Sequence, residues 1–482
     1  MNPHIFREYD IRGVADRDLT DDLARDLGRA LGTFQKRAGR RRIALGQDCR
    51  LSSPRLHREL LGGLLEAGMQ VTDIGIGATP MMYFAVFHLD LEGGVQITGS
   101  HNPPGDNGFK MMKGKASLYG PDILELRSMI ERRDFDLSLD GTVTSLDLMS
   151  AYAGFIRGNV SVARKDIRFA IDAGNGAGGP QALAAMQAAG LSPVALLCEM
   201  DGNFPVHHPD PSDPHTLELL RDTVLSQGLE LGIAFDGDAD RIGVIDARGD
   251  IIWGDKLLIV LSRALLLDHP GAAVLGEVKC SQTLYDDIAQ HGGRPILWKT
   301  GHSLIKAKMK EEGALLAGEM SGHVFFADRF FGFDDAVYAA LRLLEIVAAS
   351  DRPLHELLAD VPVTFSTPEL RVDCPDGEKF GVVTKVLERF RITNQVVEVD
   401  GARILFDGGW GLVRASNTQP VLVMRFEAQS EARLTRSAAR WRTRSPPSAP
   451  PAEARPPLAR SSLLGGGLQA VRSLGLLPTA SA

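Results

Sequence analysis

Cysteine is scarce. Cys49, Cys198, Cys280 and Cys374 are the only four in 482 residues, far apart and without a Cys-x-x-Cys pair. That spacing speaks against a disulfide framework or a zinc site, and a reducing, cytoplasmic compartment fits it best. Long hydrophobic runs are missing as well: the most apolar stretch, residues 257–267, is interrupted by Ser262 and Arg263, so no membrane span is expected. The first residues carry His4, Arg7, Glu8 and Asp10 and lack the apolar segment of a signal peptide. There is no basic excess. A net charge of −8 argues against a nucleic-acid carrier and leaves room for local basic pockets that take an anionic small molecule.

What is present is a globular composition, 44% hydrophobic and 24% charged, in a chain too long for one core. At about 100 to 200 residues per domain, three or four domains are expected. After an opening segment, Phe6 to Gly13, that mixes charge and aromatic rings too densely for a core strand, helices and strands alternate. Thr20 is placed to cap a helix with Leu23, Leu27, Leu31 and Phe34 on one face; a strand at 43–46, a helix entered through Ser53-Pro54 and a strand at 71–76 follow. This alternation predicts a mostly parallel sheet covered by helices. The apolar run 94–97 reads as a buried strand that ends in Thr98-Gly99-Ser100-His101-Asn102-Pro103, so Ser100 stands beyond a strand's carboxyl end, where open α/β sheets place ligands. By itself the Gly-x-Ser-x-Asn pattern describes a turn serine, because the second glycine of a nucleophile elbow is absent.

A second α/β unit begins near residue 150, with strands at 168–171 and 194–197 and a helix between them. Its turn, Gly174 to Gly179, matches Gly-x-Gly-x-x-Gly with Glu199 about 20 residues on, which makes a dinucleotide-binding domain the obvious competitor. Between apolar strands at 231–235 and 242–245 stands Asp236-Gly237-Asp238-Ala239-Asp240-Arg241. Three carboxylates two residues apart repel one another unless a cation sits among them, and hard oxygen donors suit Mg²⁺. An EF-hand is disfavoured, since Arg241 occupies the place of its loop glycine and Ala247 that of its glutamate. A third unit, 251–362, alternates again and presents Lys279, His302 and Gly318 to His323 at strand ends, suited to hydrogen-bonding a polyol. From 363 the pattern is that of a small α+β domain, and Arg414 with Ser416, Asn417 and Thr418 makes a plausible phosphate clamp on a turn. Residues 431–482 are rich in Arg, Ser, Pro and Ala and are expected to pack no core. The domains are therefore drawn at 1–148, 149–250, 251–362 and 363–430, with an atypical tail.

These motifs, in this order from about residue 5 to 428, resemble the α-D-phosphohexomutase family. The opening Tyr9 to Gly13, Thr98 to Pro103, Asn107-Gly108-Phe109-Lys110, Asp236 to Arg241, Gly318 to His323 and Val413 to Pro420 carry the likeness, and Met320 is similar to the mannose/glucose branch. The family implies three similar mixed α/β domains plus a C-terminal α+β domain around a central cleft. It implies reversible transfer of a phosphoryl group between the 1- and 6-positions of a hexose phosphate, through phosphoserine at Ser100 and a bound hexose 1,6-bisphosphate. One Mg²⁺ would be held by Asp236, Asp238, Asp240 and a phosphoserine oxygen. Lys110 is implied as general base, with His302 helping on the sugar side and with Arg12 and Arg241 as cationic stabilisers. Glu319 and Ser321 would hold sugar hydroxyls, Arg414, Ser416, Asn417 and Thr418 the other phosphate, while Tyr9, Lys279 and His323 complete the cleft. Charge arithmetic agrees: three aspartates and a phosphoserine of about −2 total roughly −5, and Mg²⁺ with Arg12, Lys110 and Arg241 returns about +5. The expected partners are hexose phosphates, with neither nucleic acid nor membrane, and the expected state is a monomer. The rival readings are a silent phosphosugar-binding protein, a phosphoglucosamine mutase, and a dehydrogenase on the glycine turn, which would leave the serine loop and three aspartates unexplained. The tail departs from the family and is expected to be non-homologous to it.

Overall fold

The computed structural model describes residues 1–417 and 420–440. The chain divides into two compact units, residues 1–360 and 361 onward.

The first unit holds three sheets. The first runs Ile11–Val14, Asp106–Lys113, Gly93–Ile97, Arg42–Gln47, Gln70–Ile76, Thr142–Ser145, with Ala116–Ser117 paired beside Asp106–Lys113. Its inner pairs are parallel, but Asp106–Lys113 lies antiparallel to both its neighbours, so the sheet is mixed rather than mostly parallel. This hairpin return is what brings Lys110 beside Gln96, one strand over from the Ser100 loop. The opening segment is also a strand after all. Ile11 is buried while Arg12 and Gly13 are half-buried, which an edge position tolerates and a central one does not. Helix Asp21–Arg37 forms as its sequence dictates: the Thr20 hydroxyl accepts from the Leu23 N–H at 3.2 Å, Asp21 and Asp22 complement the positive end, and Leu23, Leu27 and Leu31 are buried. Each such leucine contributes about 1.5–3 kcal/mol on burial.

The second sheet is ordered Ile251–Ile252, Ile242–Asp246, Leu231–Phe235, Phe169–Asp172, Val194–Leu196, and the third Arg294–Trp298, Ala273–Glu277, Leu316–Gly318, Val324–Phe326. Each has a parallel core and an antiparallel return, the design of the first sheet repeated. The central strands Leu231–Phe235 and Ala273–Glu277 are buried throughout, as strands covered on both faces are. Their loops carry the polar motifs.

The second unit is an α+β fold. Its antiparallel sheet runs Phe365–Ser366, Val421–Ala428, Gly409–Ala415, Ala402–Phe406, Val396–Val397, with Leu370–Asp373 also on Val421–Ala428. Helix Asp376–Phe390 buries Val382, Val386 and Phe390 against Ile404, Leu422 and Met424. Phe406 and Gly409 close the hairpin expected at Asp407-Gly408. Arg414 sits on the strand Gly409–Ala415 and not on a turn, because the ladder to Val421–Ala428 continues to Ala415. Thr418 and the tail from 441 lie outside the described residues. Helix Glu431–Arg440 gives the first part of the tail regular structure and sets Leu434 against this unit's core, so the expectation that the tail packs no core fails over this helix.

Candidate active site

Two loops meet at the carboxyl ends of their sheets. Ser100 follows Gly93–Ile97 with φ +49°, a left-handed conformation that costs a non-glycine residue energy and is found at sites where the surroundings enforce it. Its N–H donates to Thr98 Oγ1 at 2.8 Å, and its hydroxyl donates to Asp236 Oδ2 at 2.7 Å and stands 3.1 Å from His101 Nδ1. Burial, with Arg241 and Arg12 nearby, holds the His101 imidazole well below its usual range, so it is neutral. The second loop is the turn from Leu231–Phe235 into Ile242–Asp246. Asp236, Asp238 and Asp240 are each fully buried there and offer oxygens within 4.8 Å of one another.

Electrostatics makes this trio unstable by itself. Burial and its two neighbours push Asp236 well above the carboxylate range, so it keeps a proton in the absence of a cation. Burial would raise Asp238 too, but the Lys110 ammonium at 2.7 Å overrides it and holds the carboxyl far down. Asp238 Oδ1 and Asp240 Oδ1 are buried and have no hydrogen-bond partner. Two orphaned carboxylate oxygens and a third carboxyl forced to protonate fit a hard cation, whose charge would relieve all three.

The resemblance implies Lys110 as general base. Burial favours its neutral form, but in the metal-free site Asp238 and Asp240 hold the amine between them and raise it above the ordinary lysine range, so there it is an ammonium. The Coulomb attraction of two carboxylates exceeds the desolvation penalty.

Arg12 donates to Asp10 at 2.6 Å and to Asn102 Oδ1 at 3.2 Å, which puts its guanidinium on the serine loop. Arg241 Nε donates to His323 Nε2 at 3.0 Å, and the other ring nitrogen, Nδ1, lies 3.0 Å from Asp334 Oδ2. Glu319 accepts from the Gly301 N–H at 2.7 Å and the Ser321 hydroxyl at 3.0 Å, tying the two loops of the third sheet together. Tyr9 donates to the Thr300 carbonyl at 2.9 Å, and Lys279 lies 3.4 Å from Glu277. Arg414, in the second unit, donates to Asp400 at 2.8 Å; Ser416 is nearly buried beside it, and Asn417 closes the described part of that segment.

Sequence reasoning missed several participants. The Thr79 hydroxyl donates to Asp238 from the start of helix Thr79–His88. Lys306 donates to Asp334 at 2.9 Å and to Tyr83 at 3.1 Å and stands 3.3 Å from His302 Nδ1, three acceptors for three ammonium hydrogens. With Nδ1 accepting, His302 carries its proton on Nε2; burial and Lys306 keep the ring neutral. The one signal for this cluster was the doublet Asp334-Asp335 opening a long apolar helix.

The glycine turn at 174–179 has another use than a dinucleotide. A side chain at Gly176 would meet the Gly237 carbonyl at 2.7 Å, and Ala177 N–H donates to that same carbonyl at 2.9 Å. The turn packs on the acidic loop.

Four domain profiles of one family match the sequence, described as phosphoglucomutase/phosphomannomutase alpha/beta/alpha domains I, II and III at residues 3–136, 150–249 and 253–365 and its C-terminal domain at 369–443. A phosphomannomutase/phosphoglucomutase of Pseudomonas aeruginosa is 45% identical over 434 residues, which covers 90% of this chain and 93% of that one. A phosphoglucomutase of Neisseria gonorrhoeae is 47% identical over 436 residues, 90% of this chain and 94% of the relative. Among solved structures, a phosphoglucomutase/phosphomannomutase family protein from Burkholderia thailandensis superposes with a TM-score of 0.86 at 41% identity, covering 90% of this chain and 95% of its own. Among the described residues no helix is long and apolar enough to cross a membrane.

Proposed function

The chain belongs to the phosphoglucomutase/phosphomannomutase family, and from that premise we propose that it is an isomerase that moves a phosphoryl group reversibly between the 1- and 6-positions of mannose and glucose phosphates. The observation that carries the reading is the Ser100 hydroxyl, forced into a left-handed loop and hydrogen-bonded to the first of three buried aspartates.

In the proposed reaction phosphoserine at Ser100 gives its phosphoryl group to the free hydroxyl of a bound hexose phosphate. The bond from phosphorus to the serine oxygen breaks, the bond to the sugar oxygen forms, and the sugar hydroxyl's proton is released as Ser100 regains one. The resulting 1,6-bisphosphate turns over in the site and returns its other phosphate to Ser100. Mg²⁺ is the ion that Asp236, Asp238 and Asp240 would hold with a phosphoserine oxygen, and when bound it supplies compensation for charge on the transferring oxygens. Lys110 is proposed as a fixed cation, not as a base. Arg12 and Arg241 add positive charge where the phosphoryl oxygens gather, and such preorganised charge accounts for most of the catalysis of phosphoryl transfer. His302, neutral with its proton on Nε2, is suited to donate a hydrogen bond to a sugar or phosphate oxygen. Glu319, Ser321, Tyr9, Lys279 and His323 are proposed as sugar and phosphate contacts, and Arg414, Ser416 and Asn417 as a phosphate clamp on their own unit.

The test is a coupled assay on mannose 1-phosphate and glucose 1-phosphate in parallel, with Mg²⁺ and a trace of glucose 1,6-bisphosphate. Comparable turnover of both is expected. Turnover confined to glucosamine phosphate would move the protein to another branch, and tight sugar-phosphate binding without turnover would make it a binding protein.

A further inference from the structure

Arg50 touches none of the reacting groups named above, yet its side chain is wholly enclosed directly beneath the serine loop. One end of the guanidinium donates to the carbonyls of Pro103 at 2.6 Å and Asp106 at 3.0 Å; the other donates to those of Ser100 at 2.7 Å and Asn102 at 2.6 Å. Nε lies 3.2 Å from Asp48 Oδ2, and that same oxygen accepts the Gly99 N–H at 3.1 Å. The other Asp48 oxygen accepts from the Arg50 N–H at 3.0 Å and from the Ser53 hydroxyl, which anchors the pair to the start of helix Ser53–Glu66. Phe204 lies over the guanidinium at 5.2 Å and screens it from water.

The four hydrogen bonds of the fork are all to backbone carbonyls. A loop that contains Pro103 and Pro104 has two fewer N–H groups with which to hold itself, so its carbonyls need donors from elsewhere. A planar guanidinium with donors in a fixed fork supplies four at once, and its own burial is tolerable only because those carbonyls and Asp48 surround it. Gly99 reports the same fit: a side chain there would meet Arg50 Nε at 2.4 Å and Cζ at 2.5 Å.

We propose that Arg50 is a positioning residue for the phosphoryl-transfer step. By holding four carbonyls of loop 99–106 it keeps Ser100 left-handed and its hydroxyl at Asp236, and it does so without contact with substrate or cation. The proposal rests on the function assigned to Ser100.

Arg50→Ala, Arg50→Lys and Gly99→Ala in the full-length protein test it, with Mg²⁺ and glucose 1,6-bisphosphate present. In Arg50→Ala, kcat on glucose 1-phosphate is expected to fall about 100-fold, the cost of a reacting group displaced by about 1 Å, while KM stays within about threefold. Guanidinium ion at millimolar concentration should return about tenfold of that loss and leave the parent unaltered, and Arg50→Lys should lie between Arg50→Ala and the parent. Gly99→Ala should behave like Arg50→Ala, since it displaces the same fork. Hydrogen exchange should rise at residues 99–106 and not in helix Asp21–Arg37. Parental kcat in Arg50→Ala, or kcat and KM changing together with no rescue and no local rise in exchange, overturns the proposal. Should Arg50→Ala fail to fold, Arg50→Lys and Gly99→Ala decide on the same readouts. A parent that turns over no hexose phosphate would sink the assigned function instead, and the exchange pattern of Arg50→Lys would still decide whether Arg50 holds the loop.

Discussion

Asp335→Asn should make the protein more stable at pH 8 while leaving it nearly unchanged at pH 4. Asp335 is 1% exposed and caps helix Ala336–Ala349, accepting from the Tyr338 N–H at 2.9 Å and from the Tyr152 hydroxyl at 2.8 Å. Burial raises its carboxyl from 3.8 to about 7, more than those hydrogen bonds lower it, and no cation stands among the groups that shift it. The folded state therefore binds a proton that the unfolded chain releases near pH 4. Between those values folding loses stability as pH rises, by about 3 units at about 1.4 kcal/mol each, or about 4 kcal/mol once the pH exceeds 7. Below pH 4 both states are protonated and the contribution is complete. Asparagine copies the protonated acid: it keeps an acceptor for Tyr338, and its amide donates to a Tyr152 hydroxyl turned around to accept. The assay is urea unfolding of parent and variant from pH 4 to 8. Only the difference between the two curves matters, because the many exposed carboxylates act on both alike. A difference that grows toward alkaline pH in favour of the variant is expected. A constant difference, or a variant weaker throughout, would refute the claim that Asp335 is neutral in the fold below pH 7.

Lys110→Met leaves Asp238 and Asp240 without their shared cation, so the metal-free protein should lose about 3–5 kcal/mol. Added Mg²⁺ should raise its melting temperature more than the parent's, and equal melting in chelator would contradict the ion-pair reading. Asp334→Asn removes a carboxylate that faces both Lys306 and His323, and a fall in kcat of about 10–100-fold is expected, by analogy with groups that orient a working imidazole. Unchanged kcat would mean that Arg241 and His323 hold their places without it. Thorough chelation should abolish turnover and Mg²⁺ restore it; activity that survives chelation would remove the cation from the account.

The centre of the site was legible because its chemistry is local in sequence. Asp236, Asp238 and Asp240 repel at any tertiary arrangement, and a serine in a run of small residues after an apolar strand needs no coordinates to be noticed. What stayed hidden depends on distance. The charge on Lys110 in the metal-free site is not legible in the sequence, because it turns on two carboxylates 128 and 130 residues away in the chain, whose attraction outweighs burial. Ile11–Val14 hid as a strand because its charges lie at a sheet edge, where Arg12 can reach Asn102. Nothing in the sequence marks Lys306 and Arg50 out from other cations. One is enclosed by Tyr83, His302 and Asp334 and the other by backbone carbonyls, which leave no pattern in the sequence.

The account rests on a phosphoryl group that resides on Ser100 between turnovers. Mass spectrometry of the peptide containing Ser100, after incubation with glucose 1,6-bisphosphate and Mg²⁺, reads this directly. The parent should carry one phosphoryl group on that serine and lose it to added hexose 6-phosphate, while Ser100→Ala takes up none and turns over no substrate. A Ser100→Ala protein that interconverts hexose phosphates at the parental rate would contradict it.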